Sequence, residues 1–209
     1  MDRRRLLKRL DNAWEAFNES YAGLSDVQLM EAGVTGAWSV RDTLAHVTTW
    51  EEEALTHLPL ILKGGTPPRY SLRYGGLDAF NARMTEEKRS LSLSEVREQL
   101  AATHDRLIEF IQSVPEHHLI GNTRFRRRLR LDTYGHYPIH AEAIRQWRQR
   151  QGVYRAWRDN SRSRRSSLRT ERRATGEWAA TSAASMPRAS RSYWTQPHES
   201  HPHQRSQFA

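Results

Sequence analysis

Ten histidines are spread over the 209 residues, and two of them, His136 and His140, stand four apart in the stretch Y-G-H-Y-P-I-H-A-E-A-I-R-Q-W. On a helix, residues four apart share a face one turn apart. Both imidazoles can then reach one metal ion, as in helix-borne zinc sites. The spacing alone is weak, because a chain with this many histidines produces it by chance. A third histidine adds weight: His46 lies near the middle of W-S-V-R-D-T-L-A-H-V-T-T-W, a second amphipathic stretch. Three imidazoles from two helices leave one position of a metal open for water or substrate, the catalytic rather than the structural arrangement. A metal so held lowers the pKa of a bound water or thiol and yields a nucleophile near neutral pH.

Two further side chains are candidates for catalysis. Glu53 is two turns beyond His46 and can act as a base or support a ligand. Tyr137, with Tyr134 close by, flanks the histidine pair and can donate to a developing oxyanion. Glu142 follows His140 by two residues and faces away from it on a helix. The plainer alternative is that His46 packs in a polar seam and His136 lies at a helix start, each bonded to backbone.

The elements that must position these groups are helical. Leu6, Leu7, Leu10, Trp14, Phe17 and Tyr21 form one apolar stripe over about Arg3 to Ala22. A short turn of helix follows between Leu24 and Met30, with Ser25 and Asp26 as caps, and Gly33 and Gly36 end the pattern. Ser39 and Asp42 have capping-box spacing for a second long helix, whose apolar side is Val40, Leu44, Val47, Leu55 and Leu58 up to Pro59. His46, Trp50, Glu53 and His57 fall on a neighbouring stripe. Residues 63–76 are dense in Gly and Pro and read as a loop, with Tyr70 and Tyr74 placed to overhang a pocket. Leu77 to Arg89 reads as a short helix, and Ser92 with Glu95 starts a third long one that ends before Pro115. The basic run Arg124 to Arg130 reads as a solvated connection. Leu131 to about Gln151 is the fourth long helix, with Ile139, Ala143, Ile144 and Trp147 as its apolar set. Four long helices with almost no alternating pattern predict an all-α bundle.

Composition narrows the chemistry. There is no cysteine, which excludes disulfides, thiolate catalysis and cysteine-ligated zinc, so a metal must sit on His, Asp or Glu. No apolar run approaches the roughly 20 residues of a membrane span. The basic N-terminus is followed by no apolar signal core, so a cytoplasmic protein is expected. The net charge of +9 is unevenly placed: residues 153–209 hold 11 Arg against four acidic residues, and residues 1–152 are close to balanced. The reading is therefore a helical domain over 1–151 and an Arg/Ser-rich disordered tail over 152–209. The tail is either an arginine-rich arm for nucleic acid or acidic surfaces, or a non-native extension such as a shifted reading frame.

Three motifs together, W-S-V-R-D-T-L-A-H-V-T-T-W-E, G-G-L-D-A-F-N-A-R and Y-G-H-Y-P-I-H-A-E-A-I-R-Q-W, resemble the DinB/YfiT-like four-helix bundles, most closely the ClbS/DfsB branch. The resemblance covers about residues 1–150. It implies an up-down-down-up bundle, often dimeric, in which three histidines bind a divalent metal; these map onto His46, His136 and His140. Zinc, nickel and manganese are the candidate ions. It also implies metal-dependent transfer of low-molecular-weight thiols, or protection of the cell against reactive natural products. A metal-free module that holds such a compound without catalysis is the alternative.

One departure bears on the metal. Pro138 lies between the two histidines and Gly135 precedes them. Proline suits the first turn of a helix and disrupts its interior. If the helix begins there, His136 lies outside it and the one-face argument fails.

Overall fold

The computed structural model describes residues 2–152, which form α1 (Arg3–Tyr21), α2 (Asp26–Leu29), α3 (Val40–Leu62), α4 (Tyr70–Arg73), α5 (Leu77–Glu87), α6 (Leu93–Ser113), α7 (Glu116–Leu119), α8 (Arg124–Asp132) and α9 (residues 137–152). The tail expected beyond α9 lies outside the described residues. Among those described, no helix is long and apolar enough to cross a membrane.

Local chemistry starts most of these helices. Ser25, Ser39 and Ser92 each accept from the N3 amide while Gln28, Asp42 and Glu95 reach back to the cap amide, three complete capping boxes. Asp2 and Thr123 cap α1 and α8. α3 passes through Pro59 and ends three residues later at Leu62, rather than at the proline as the sequence suggests. One lost bond near the end of a 23-residue helix is outweighed by burial of Leu58 and Ile61. Wholly burying such a side chain is worth about 1.5–3 kcal/mol.

Two apolar clusters stack along the bundle. One takes Phe17 from α1, Val40, Leu44 and Val47 from α3, Val96 and Leu100 from α6, and Tyr137, Ile144 and Trp147 from α9. The other takes Leu6 and Leu10 from α1, Ala54 and Leu58 from α3, Leu107 and Ile111 from α6, and Phe125 and Leu129 from α8. The order in which each helix visits the two clusters fixes its direction. α3 and α6 run one way, and α1 and the α8–α9 pair run the other: up-down-down-up.

The fourth helix is thus split, and this corrects the sequence reading twice. The run from Arg124 is not a solvated connection but the amphipathic helix α8, with Phe125, Leu129 and Asp132 buried. Its arginines tie loops down: Arg124 donates to the Gly65 carbonyl at 2.9 Å and Arg127 to that of Asn122 at 2.8 Å. Nor does one helix span 131–151. A turn at 133–136 separates α8 from α9, and Leu131 and Ile139 are 69% and 64% exposed, on the outer side.

The stretch 63–76 carries the single turn α4, so it is not wholly loop. Tyr70 packs on Trp50 and Phe80, with ring centroids 5.7 and 4.8 Å apart. Its hydroxyl donates to Glu53 and accepts from Arg128 Nη2 at 2.8 Å. The buried Arg41 guanidinium donates to the carbonyls of Lys88, Arg89 and Leu91, fixing the chain after α5 against α3.

Candidate metal centre

His46 projects from the middle of α3, where it is 7% exposed. His136 and His140 come from the other side of the helix break. The turn before α9 is built by backbone bonds: Gly135 N–H reaches the Arg130 carbonyl at 2.9 Å, and the His136 and Tyr137 amides both reach that of Thr133, at 2.6 and 2.9 Å. A side chain at Gly135 would put its Cβ 2.6 Å from the Arg130 carbonyl oxygen, so only glycine fits the approach. Pro138 is the second residue of α9, where no helical N–H is needed. His136 therefore lies outside the helix, the outcome that threatened the site in the sequence reading. The turn nonetheless brings it into reach of its partners.

The two contacts centre on His136. Its Nε2 is 2.8 Å from Nε2 of His140 and 3.3 Å from Nε2 of His46. One ligand atom from each of the three residues can be chosen so that all lie within 4.8 Å of one another. An imidazole nitrogen has one in-plane position, either a lone pair or an N–H. His136 Nε2 cannot therefore hydrogen-bond both neighbours at once. A cation shared by the three lone pairs resolves that conflict. Two imidazole nitrogens on one tetrahedral zinc at about 2.0–2.1 Å would stand about 3.3 Å apart, so the donor set fits such an ion.

The electrostatics keep those lone pairs free. Burial, then the neighbouring His140, lowers the pKa of His46 to about 3. Burial, with His140 and His46, takes His136 to about 2, and burial alone takes His140 to about 4. All three are neutral at pH 7. His136 Nδ1 is buried without a hydrogen-bond partner. Trp38 and Trp50 stand beside the cluster, their ring centroids 4.9 and 6.2 Å from that of His46.

The two expected catalytic groups are engaged elsewhere. Glu53 accepts from Tyr70 and lies 3.4 Å from His57 Nδ1. Tyr137 is wholly buried and donates to Oε1 of Glu51, which also accepts from His104 Nδ1 at 2.8 Å. Burial and Glu51 hold the Tyr137 phenol well above its usual range, so it remains a donor. Tyr134 is in the apolar core under the Arg9 guanidinium, and Glu142 is exposed beside Arg145 and Gln146.

Sequence reasoning missed Glu51, His104, Arg128 and Asp132. Glu51 had a readable signal, since Val47, Glu51, Ala54 and Leu58 form a continuous core stripe with one carboxylate in it. Asp132 is 1% exposed and bonded to Arg128 Nε at 2.5 Å, an i, i+4 pair that the basic run conceals.

The sequence profile of the DinB superfamily matches residues 9–184. The chain belongs to the DinB superfamily. That match runs beyond the described residues, into the segment that the sequence reading set apart as a tail. No curated protein matches this DinB-superfamily chain. Among solved structures it is similar to the Sibling Lethal Factor Precursor DfsB, with a TM-score of 0.62 and 16% identity over 72% of this chain and 97% of that one. It is also similar to the colibactin self-resistance protein ClbS, solved in complex with double-stranded DNA, with a TM-score of 0.60 and 16% identity over 69% and 94% of the two chains. At such identity the likeness is one of fold.

Proposed function

We propose that this DinB-superfamily protein binds one divalent ion through His46, His136 and His140 and uses that site to inactivate a reactive small molecule. The reading rests on one observation: the two short contacts of His136 Nε2, which its single in-plane position cannot satisfy as hydrogen bonds. Zinc, nickel or manganese held there supplies a Lewis acid with an open position, where the pKa of a water or thiol falls. The residues of the chain do the rest. Burial keeps the imidazoles unprotonated, and Trp38 and Trp50 offer flat apolar faces on which a small electrophile can pack. Glu53, as a proton acceptor, would first have to release the Tyr70 hydroxyl. Tyr137 would have to leave Glu51 to serve an oxyanion.

Hydrolysis and transfer to a low-molecular-weight thiol are both chemistries of such a centre. Self-resistance is the role stated for ClbS and comes to this chain as part of the proposal, as does a homodimer. The test uses full-length protein loaded with each ion and mixed with an epoxide, with and without a thiol. Epoxide loss that needs both His140 and the metal supports the reading. Epoxide bound but unchanged, equally by wild type and His140→Ala, moves the conclusion to a metal-free protective module.

A further inference from the structure

Glu51 is 0% exposed, in the centre of a helical bundle. An ionised carboxylate there costs several kcal/mol unless donors meet it. It has two, Tyr137 from α9 and His104 from α6, and both converge on Oε1, leaving Oε2 buried without a partner. His104 in turn stacks on Trp14 of α1, with ring centroids 3.7 Å apart and planes within 3°. One side chain from each of the four long helices thus meets at a single junction.

The junction sits directly behind the histidines. Glu51 follows His46 by five residues, which turns it roughly 140° around α3, away from the site. Tyr137 adjoins His136 in the chain. Among the described residues, two side-chain hydrogen-bond contacts join residues 133–152 to α3: the one between His46 and His136, and the one between Tyr137 and Glu51. The first is the site itself. The second is therefore the one directional side-chain bond, outside the site itself, between the segment holding His136 and His140 and the helix holding His46, added to the apolar packing they share.

We propose that Glu51 is a positioning residue for the three-histidine centre, fixing His136 and His140 against His46 through the Tyr137 hydroxyl. The inference rests on the reading of those histidines as metal ligands. Glu51 touches neither ion nor substrate in this scheme. Its effect is on the approach of two segments whose remaining contact is the apolar packing of Ala141, Ile144 and Trp147 in the cluster with Val40, Leu44 and Val47, which fixes no hydrogen-bond geometry at the histidines.

The test compares zinc affinity of full-length wild type, Tyr137→Phe, Glu51→Gln and Glu51→Ala by competition with a chelator dye. The signal of His140→Ala is subtracted to remove other histidines. Tyr137→Phe keeps the ring and the packing, so it is the decisive variant. The expected result is a loss of about 10- to 100-fold in affinity for Tyr137→Phe and Glu51→Ala, the usual scale for groups behind a metal ligand. Glu51→Gln, which still offers an acceptor, should recover most of it. Circular dichroism identifies any variant that has not folded, and Tyr137→Phe stands if Glu51→Ala does not fold. Wild-type affinity in a folded Tyr137→Phe overturns the proposal. If wild type binds no zinc, the metal reading itself fails, and positioning is read from imidazole nitrogen NMR of the metal-free protein. His136 and His140 signals that move in Tyr137→Phe, while His117 and His118 stay, support it; unchanged signals overturn it.

Discussion

His136 lies one residue outside the helix that carries His140, yet their Nε2 atoms stand 2.8 Å apart. The turn at 133–136 does what helical periodicity would otherwise have done. It also frees His136 to lean toward His46, which regular helix geometry does not require. The first prediction follows. Full-length protein reloaded with zinc, nickel or manganese should retain close to one equivalent more than His46→Ala or His140→Ala, measured by elemental analysis after desalting. His198, His201 and His203 lie outside the described residues and are common to all three proteins, so their contribution cancels. Equal metal in wild type and variants would end the case for the site.

Acid should destabilise the metal-free protein through the same histidines. Their folded pKa values are about 3, 2 and 4 for His46, His136 and His140, all lowered first by burial. In the unfolded chain they titrate near ~6.5. Between about pH 4 and 6.5 the unfolded chain binds protons that the folded chain refuses, so stability climbs with pH, by up to about 1.4 kcal/mol per unit for each histidine. It is fully present above 6.5 and is lost as the pH falls. Urea unfolding at pH 5 and pH 7, with a chelator present, measures the slope. Replacing all three histidines by glutamine should flatten it, and an unchanged slope would place its origin elsewhere.

Gly135→Ala and Pro138→Ala should behave oppositely. A Cβ at 135 meets the Arg130 carbonyl oxygen at 2.6 Å, so the turn must shift and carry His136 with it. The expected cost is about 1–3 kcal/mol, with weakened metal binding. Pro138 occupies the first turn of α9, and alanine there should change stability by less than about 1 kcal/mol. Thermal melts and a zinc titration on the two variants give the comparison. A tolerated Gly135→Ala would show that the turn is not what holds His136.

The buried pair on α8 is a third kind of element. Asp132 is 1% exposed, and burial pushes its carboxyl up to about 7 against the pull of Arg128. Arg128→Met takes the cation from that carboxyl, which is then neutralised by a proton, and the donor from the Tyr70 hydroxyl, for an expected loss of about 1.5–3 kcal/mol. Tyr70→Phe removes the hydroxyl's two bonds, to Glu53 and from Arg128, but leaves the ion pair in place, and should cost about 1 kcal/mol. Urea midpoints of the two variants settle the order, and the reverse order would mean that the hydroxyl bridge from Arg128 to Glu53 of α3 outweighs the ion pair within α8.

Much of this architecture was readable from the residues alone. Ser39 with Asp42 and Ser92 with Glu95 mark helix starts because capping is local chemistry, complete within four residues. The apolar stripes gave the bundle for the same reason. What the sequence concealed depends on partners distant in the chain. Spacing from His46 points to Glu53 and says nothing of Glu51, whose junction is made by residues 53 and 86 positions away. The arginines of α8 looked solvated because their acceptors, loop carbonyls and Asp132, are defined only by the fold. Pro138 and Gly135 were seen as a threat to the helix. The structure uses them to end one helix and begin another.

The junction of Trp14, His104, Glu51 and Tyr137 also bears on how far the centre could be made portable. Its three candidate ligands come from two segments, which invites transplanting α3 together with residues 133–152 into another scaffold. Such a graft would carry the imidazoles and leave behind His104 and Trp14, which hold Glu51 in place from the two remaining helices. The minimal transferable unit is therefore the complete four-helix cross-section at that level, and any redesign of the centre has to begin from the acid at its back.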